Sequence, residues 1–150
     1  MALPFFYLDV DTVVSNETIV LNEDTSKYIV QVLRMQNGEP IQLTNGKGVK
    51  ATAIITDNHR KHCSVKIAEV VSVDPPHAKK AIAISLLKNA QRFEWFLEKA
   101  TELGITEIVP LLCTRTEKQS FKFERSNSIL ISAMLQSQQC WLPILTEPVK

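Results

Sequence analysis

Few side chains in this 150-residue sequence are equipped for chemistry, and they fall into three groups. The densest is His59-Arg60-Lys61-His62-Cys63, with three potential metal ligands. A metal site needs further ligands converging from elsewhere, and no partner pair occurs in the rest of the chain, so the run reads as a polar hairpin loop and no metal is expected. The second group is the thiols. Cys113 follows an apolar run and is reactive in principle, but a small buried thiol is the commoner use. The third group is cationic: Lys88, Arg92, Arg115, Lys118, Lys122 and Arg125 in the second half, and Arg34 in the first. Such a grouping suits phosphate contacts. Arg34 stands beside Asn37-Gly38, placed either to neutralise a helix C-terminus or to reach a ligand. Lys99 and Glu102 make an i,i+3 pair, and with Arg92 and Glu94 off the apolar stripe they read as a solvated helix face.

What is scarce excludes as much. There are only four glycines, Gly38, Gly46, Gly48 and Gly104, and none builds a G-x-G-x-x-G or G-x-x-x-x-G-K phosphate cradle. No nucleophile elbow or zincin helix appears. Three cysteines, odd in number and far apart, fit no disulfide framework, so a reducing cytoplasm is the expected compartment. No apolar run approaches the ~20 residues of a membrane span, and Asp9 and Asp11 come too early for a signal peptide.

Charge divides the chain. Residues 1–76 carry 7 Lys+Arg against 9 Asp+Glu, a net of −2; residues 77–150 carry 10 against 7, a net of +3. The sign changes at Asp74-Pro75-Pro76-His77, where two prolines hold the backbone extended as an inter-domain joint would.

The elements that must position these residues differ in the two halves. In the first, Phe5–Leu8 and Thr18–Leu21 read as strands. A short helix follows, N-capped by Asn22, with Tyr28, Ile29, Val32 and Leu33 on one apolar face. Ile41 and Leu43 alternate with polar residues, Asn45-Gly46 marks a hairpin turn, and Val49, Ala51, Ala53 and Ile55 resume the alternation. Val65, Ile67 and the stretch 70–73 add another strand, and the set suggests a small β-barrel. In the second half, Ala81–Leu87 has the pattern of a parallel strand covered on both faces. Phe93, Phe96, Leu97, Ala100 and Leu103 recur at helical spacing before Gly104, and Ile105–Leu112 is a second buried strand, completing a βαβ unit. A helix from about Glu124 to Gln139 and a third strand at 141–145 follow.

The order of these local sequences resembles the RsmE family of bacterial 16S ribosomal RNA methyltransferases, which modify uridine at N3. Tyr28-Ile-Val-Gln-Val-Leu-Arg-Met35, Asn37-Gly38-Glu39 and Thr44-Asn-Gly-Lys-Gly48 are similar to its "VLR…G(D/E)…DGKG" signature. Lys88, Arg92-Phe-Glu-Trp-Phe96, Lys99-Ala-Thr-Glu-Leu-Gly-Ile105 and Ile108-Val-Pro110 resemble "K…R.E….KATELGV..I.P". Arg115, Lys122, Arg125, Gln136-Ser137 and Leu142-Pro143 fall in the family's order. Tyr28 departs from the family's frequent His, and Gln138-Gln139-Cys140-Trp141 stands where many members have an Arg.

The resemblance implies a mixed fold: an N-terminal PUA-like β-barrel over 1–74 that binds RNA, then the first half of an α/β-knot (SPOUT) methyltransferase domain over 78–150. It implies S-adenosylmethionine as the family's cofactor, 16S rRNA of the small subunit as partner, and a homodimer through the SPOUT part. Arg34, Lys47, Lys88, Arg92, Arg115 and Arg125 become the expected RNA contacts, and Glu102, Gln136 and Ser137 structural or interface residues. The family's "GPEGG" turn and late "LG.RILR.ETA" segment would lie beyond Lys150, and so would the catalytic residues. The chain is therefore expected to be an N-terminal fragment that neither holds the cofactor nor turns over by itself. A different class of reading is a stand-alone RNA-binding or protein-interaction module without methyltransferase activity.

Overall fold

The computed structural model describes residues 2–116 and 120–150. The chain divides into two compact units, one ending at Asp74 and the other beginning at Pro75.

The first unit is a curled sheet of five strands: β1 (Phe5–Tyr7), β2 (Thr18–Val20), β3 (Pro40–Thr44), β4 (Val49–Asp57) and β5 (Ser64–Ser72), in the order β1-β3-β4-β5-β2. Only β1 and β3 run parallel. Side-chain alternation sets the register: Ile41 faces Ala53 and Leu43 faces Ala51, while Ile67 and Val65 lie across from Ala53 and Ile55. All seven are buried, so small alanines on the central strand make room for the large residues that flank them. The turn at Asn45-Gly46 extends to Gly48. Buried Asn45 organises it, accepting from Lys47 N at 2.9 Å and Val49 N at 3.3 Å and donating to the Asp11 carbonyl at 3.1 Å.

Helix α1 (Glu23–Lys27) is capped by Asn22, whose Oδ1 accepts from Thr25 N at 2.8 Å. It continues as a π-helical turn, Tyr28–Val32, where the Leu33 amide donates to the Tyr28 carbonyl at 2.9 Å. This corrects the expected apolar face. Five-residue spacing rotates Tyr28, Val32 and Leu33 outward, and of the four only Ile29 is fully buried.

The second unit holds β6 (Ala81–Ser85), α2 (Ala90–Glu102), β7 (Glu107–Leu111), α3 (Phe123–Gln136) and β8 (Ile144–Leu145), with a parallel sheet in the order β6-β7-β8. Phe93, Leu97 and Ala100 of α2 and Leu130 of α3 share one core with Ile108 and Leu145. Both helices therefore serve the same side of the sheet. The expected cover of β6 on both faces is not seen among the described residues: Ala81 and Ala83 are exposed, and β6 pairs with β7 on one side. Leu103 also leaves the predicted stripe, because it is the last residue before a Schellman ending. Ile105 N donates to Ala100 O at 3.0 Å and Gly104 N to Thr101 O at 3.1 Å, with Gly104 at φ 88°. Helix α3 ends earlier than expected in the same way, with Gln138 at φ 56°. Beyond β8 the pairing resumes at Val149, whose carbonyl accepts from Leu112 N at 2.8 Å; Pro148 between them has no amide to give.

Candidate nucleic-acid interface

In parallel topology the loop after each strand and the start of each following helix lie at the sheet's carboxyl edge. Lys88 follows β6, Arg92 is in the first turn of α2, Arg115 follows β7, and Lys122 and Arg125 begin α3. The expected cations of the second unit therefore share one edge. Lys118, in the same loop as Arg115, lies outside the described residues.

Each is set by a local device. Asn89 Oδ1 accepts from Gln91 N at 2.9 Å and Arg92 N at 3.3 Å, capping α2 and fixing its first turn. Arg115 sits at the tip of a turn in which Thr116 N donates to Cys113 O at 2.9 Å and Cys113 N to Thr116 Oγ1 at 2.8 Å. Thr116 Oγ1 also lies 2.9 Å from Ser85 Oγ, fastening the turn to the end of β6. Arg125 donates from Nε to Glu94 Oε1 at 3.1 Å and from Nη2 to Oε2 at 3.4 Å, joining the starts of the two helices. These bonds and the Glu94 charge hold the Arg125 guanidinium protonated even more firmly than usual. Arg92 and Arg115 are exposed and make no ion pair among the described residues. A hollow of about 370 Å³ opens between the helix starts, walled by Leu86, Phe93 and Phe121, with Lys122 and Arg125 at its rim.

The first unit supplies two more of the expected residues. Arg34 is exposed at φ 54°, without an ion pair among the described residues. Lys47 is bound to Asp11, and that hydrogen bond and charge raise the Lys47 pKa and lower that of Asp11. Lys47, like Arg125, is thus an expected RNA contact already engaged by a carboxylate of its own unit.

The residues expected to be structural prove unequal. Glu102 takes a hydrogen bond from Lys99 Nζ at 3.3 Å, which raises the Lys99 pKa. Ser137 closes α3, donating from Oγ to Ala133 O at 2.7 Å, while Gln136 is exposed. The residue that ties these ends together is Gln139, in the stretch where the chain departs from the family pattern. Its Nε2 donates to Thr101 O at 3.0 Å, Glu102 O at 3.2 Å and Ser137 Oγ at 3.0 Å. No sequence signal marks the tie, because the two α2 carbonyls it reaches are 37 and 38 residues away. In the His59–Cys63 run, His59 Nδ1 accepts from Lys61 N at 3.2 Å and His62 N at 3.3 Å, a loop-forming use of the ring.

Fold and charge together define a two-unit α/β protein with basic side chains gathered at the carboxyl edge of a parallel sheet. The chain belongs to the RNA methyltransferase family: the model for the RNA methyltransferase domain matches residues 74–150, and that for the RNA methyltransferase PUA domain matches 21–68. It is 30% identical over 134 residues to ribosomal RNA small subunit methyltransferase E of Synechocystis, covering 88% of this chain and 44% of that protein. The crystal structure of a probable rRNA-methyltransferase from Porphyromonas gingivalis superposes with a TM-score of 0.82 at 34% identity, covering 97% of this chain and 61% of the other. That of ribosomal RNA small subunit methyltransferase E from Neisseria gonorrhoeae, bound to S-adenosyl methionine, gives 0.85 at 27% identity over 98% and 62%. The chain spans about half the length of the curated relatives it matches. Among the described residues no helix is long and apolar enough to cross a membrane.

A cofactor of the kind bound to the Neisseria protein needs acceptors for its amino and hydroxyl groups and close backbone approach. At the carboxyl end of β7 a hollow of about 650 Å³ is lined by Leu111, Leu112, Cys113, Thr114 and Lys150. Its lining side chains include no acid and no glycine.

Proposed function

We propose that this chain is the RNA-binding and scaffold portion of an enzyme that methylates N3 of one uridine in 16S ribosomal RNA, with S-adenosylmethionine as methyl donor. The observation that carries the reading is the match of both units, in order, to the PUA and methyltransferase parts of one family. Neutral uridine carries a proton on N3, so methyl transfer requires that proton to leave, with a base or a stabilising field at the developing anion. The side chains of this chain take the earlier part: they hold and orient the RNA. Arg92 and Arg115, exposed at the carboxyl edge, and Arg34 on the first unit meet phosphates, with Lys88, Lys47 and Arg125 adding to the field. By itself the chain binds no cofactor and does not turn over. Two copies associate through the second unit, where α2 leaves Trp95 62% and Leu103 79% exposed; light scattering that gives a monomer mass would refute the association.

The modification itself is directly readable. A methyl on N3 occupies the Watson–Crick edge and stops reverse transcription. Deleting the gene should remove one such stop from 16S rRNA, and restoring it should bring the stop back. An unchanged stop pattern would overturn the function. Calorimetric titration of the chain with S-adenosylmethionine should give no heat of binding; stoichiometric binding would overturn the division of labour.

A further inference from the structure

The segment from Tyr28 to Arg34 is unusual twice over. Tyr28–Val32 is π-helical, and Arg34 follows in the left-handed region, a conformation that costs energy for a residue with a Cβ. Surrounding bonds hold it there. Met35 N donates to Ile29 O at 3.1 Å, Gln36 Nε2 to Arg34 O at 3.3 Å, and Asn58 Nδ2 to Met35 O at 3.4 Å. Glu39 takes the Gln36 amide at 2.6 Å, and Asn37 Oδ1 takes the Asn58 amide at 2.8 Å. Strain held this firmly marks a segment shaped for contact rather than for packing.

Its exposed groups are of complementary kinds. Tyr28 is 48% exposed, and its ring is steadied from one side by Phe6, edge-on at 6.1 Å and 73°. Val32 is 63% exposed and Leu33 37%. Arg34 comes six residues after Tyr28, one past the Leu33 amide that closes the π-turn on the Tyr28 carbonyl, its guanidinium unpaired among the described residues. An exposed aromatic ring with apolar neighbours and a free cation in the same short segment are the groups that hold single-stranded nucleic acid, the base stacking on the ring and the phosphate meeting the cation. A duplex keeps its bases stacked on one another and offers none to a ring.

We infer that Tyr28 is a stacking platform for an unpaired base of the RNA, with Arg34 on an adjoining phosphate. This rests on the RNA-binding reading above and narrows it to a single-stranded stretch, a loop or a bulge. The probe is a fluorescein-labelled oligouridylate of about ten nucleotides, set against an RNA duplex of equal length. Wild-type chain should bind the single strand more tightly. Tyr28→Leu, which keeps apolar bulk against Phe6, should lower that affinity roughly tenfold while leaving the dependence on salt unchanged. Tyr28→Trp should retain it. Arg34→Gln should flatten the slope of log affinity against log salt by about 0.7. If the wild-type chain binds the oligouridylate and Tyr28→Leu binds it equally well, the stacking role is overturned and RNA binding stands. If wild type binds neither RNA, both fall.

Discussion

Arg125 and Glu94 face one another across the starts of two helices, with both carboxylate oxygens engaged by one guanidinium at 3.1 and 3.4 Å. The pair fixes where α3 begins relative to α2 and lowers the net charge offered at the carboxyl edge. Because Arg125 is largely exposed, its main consequence is for ligand charge rather than for stability.

Glu94→Gln should therefore raise affinity for RNA and steepen its salt dependence, because Arg125 is freed. Arg125→Ala should lower both. Thermal midpoints of the two variants should stay near that of the parent. Filter binding at several salt concentrations reads the effect, and equal slopes for all three proteins would show that Arg125 does not meet the RNA.

Ser26 is fully buried, and its Oγ accepts from Cys63 N at 2.9 Å while donating to Leu21 O at 3.3 Å. Ser26→Ala leaves a buried amide unsatisfied and should destabilise the first unit by about 1–3 kcal/mol. Urea denaturation followed by circular dichroism measures this. A change within experimental scatter would mean that another acceptor takes the Cys63 amide.

Gly104 at φ 88° closes α2, and a Cβ there would meet no atom within 4 Å. Any cost of Gly104→Ala is thus backbone strain alone, about 1–2 kcal/mol. Gly104→Asn should cost less, since Asn tolerates the left-handed region. Equal stability of all three would refute the Schellman ending.

Cys63 is buried, and that burial, with the Asp57 charge, pushes its thiol pKa up. The folded state then keeps a proton that the unfolded state releases, so stability is complete below the unfolded thiol pKa of about 8.5 and falls as pH rises through the folded value. Cys63→Ala should remove that alkaline decline. In alkylation at neutral pH, Cys113 should be modified in the native protein and Cys63 only after unfolding, since Cys113 is exposed. Rapid native labelling of Cys63 would contradict its burial.

Much of the fold was legible because local physics specified it. Alternation at Ile41, Leu43, Ala51, Ala53 and Ile55 has one solution that buries all five, and the sheet adopts it. Asn22 and Gly104 mark helix ends through bonds to residues a few positions away, so their types suffice. The charge sign change at Pro75-Pro76 is likewise a property of the chain. The fold departs from local spacing where a distant contact decides. Tyr28, Val32 and Leu33 have α-helical spacing, but a π-turn supported by Met35 and Asn58 rotated them outward. Ala81–Ser85 reads as a doubly covered strand, and packing put both helices on one side of it.

The sequence by itself determined the strand alternation, the helix caps, the basic second half and, through its ordered motifs, the family. Those signals depend on neighbours within a turn or a strand. Only the tertiary structure decided that Arg92, Arg115 and Arg125 share one edge, that Glu94 and Asp11 already hold Arg125 and Lys47, and that Gln139 ties the ends of α2 and α3 together. Each of those relations joins residues from separate elements, ten or more positions apart, and a Coulomb or hydrogen-bond contact acts over a few ångströms of space, whatever the distance along the chain.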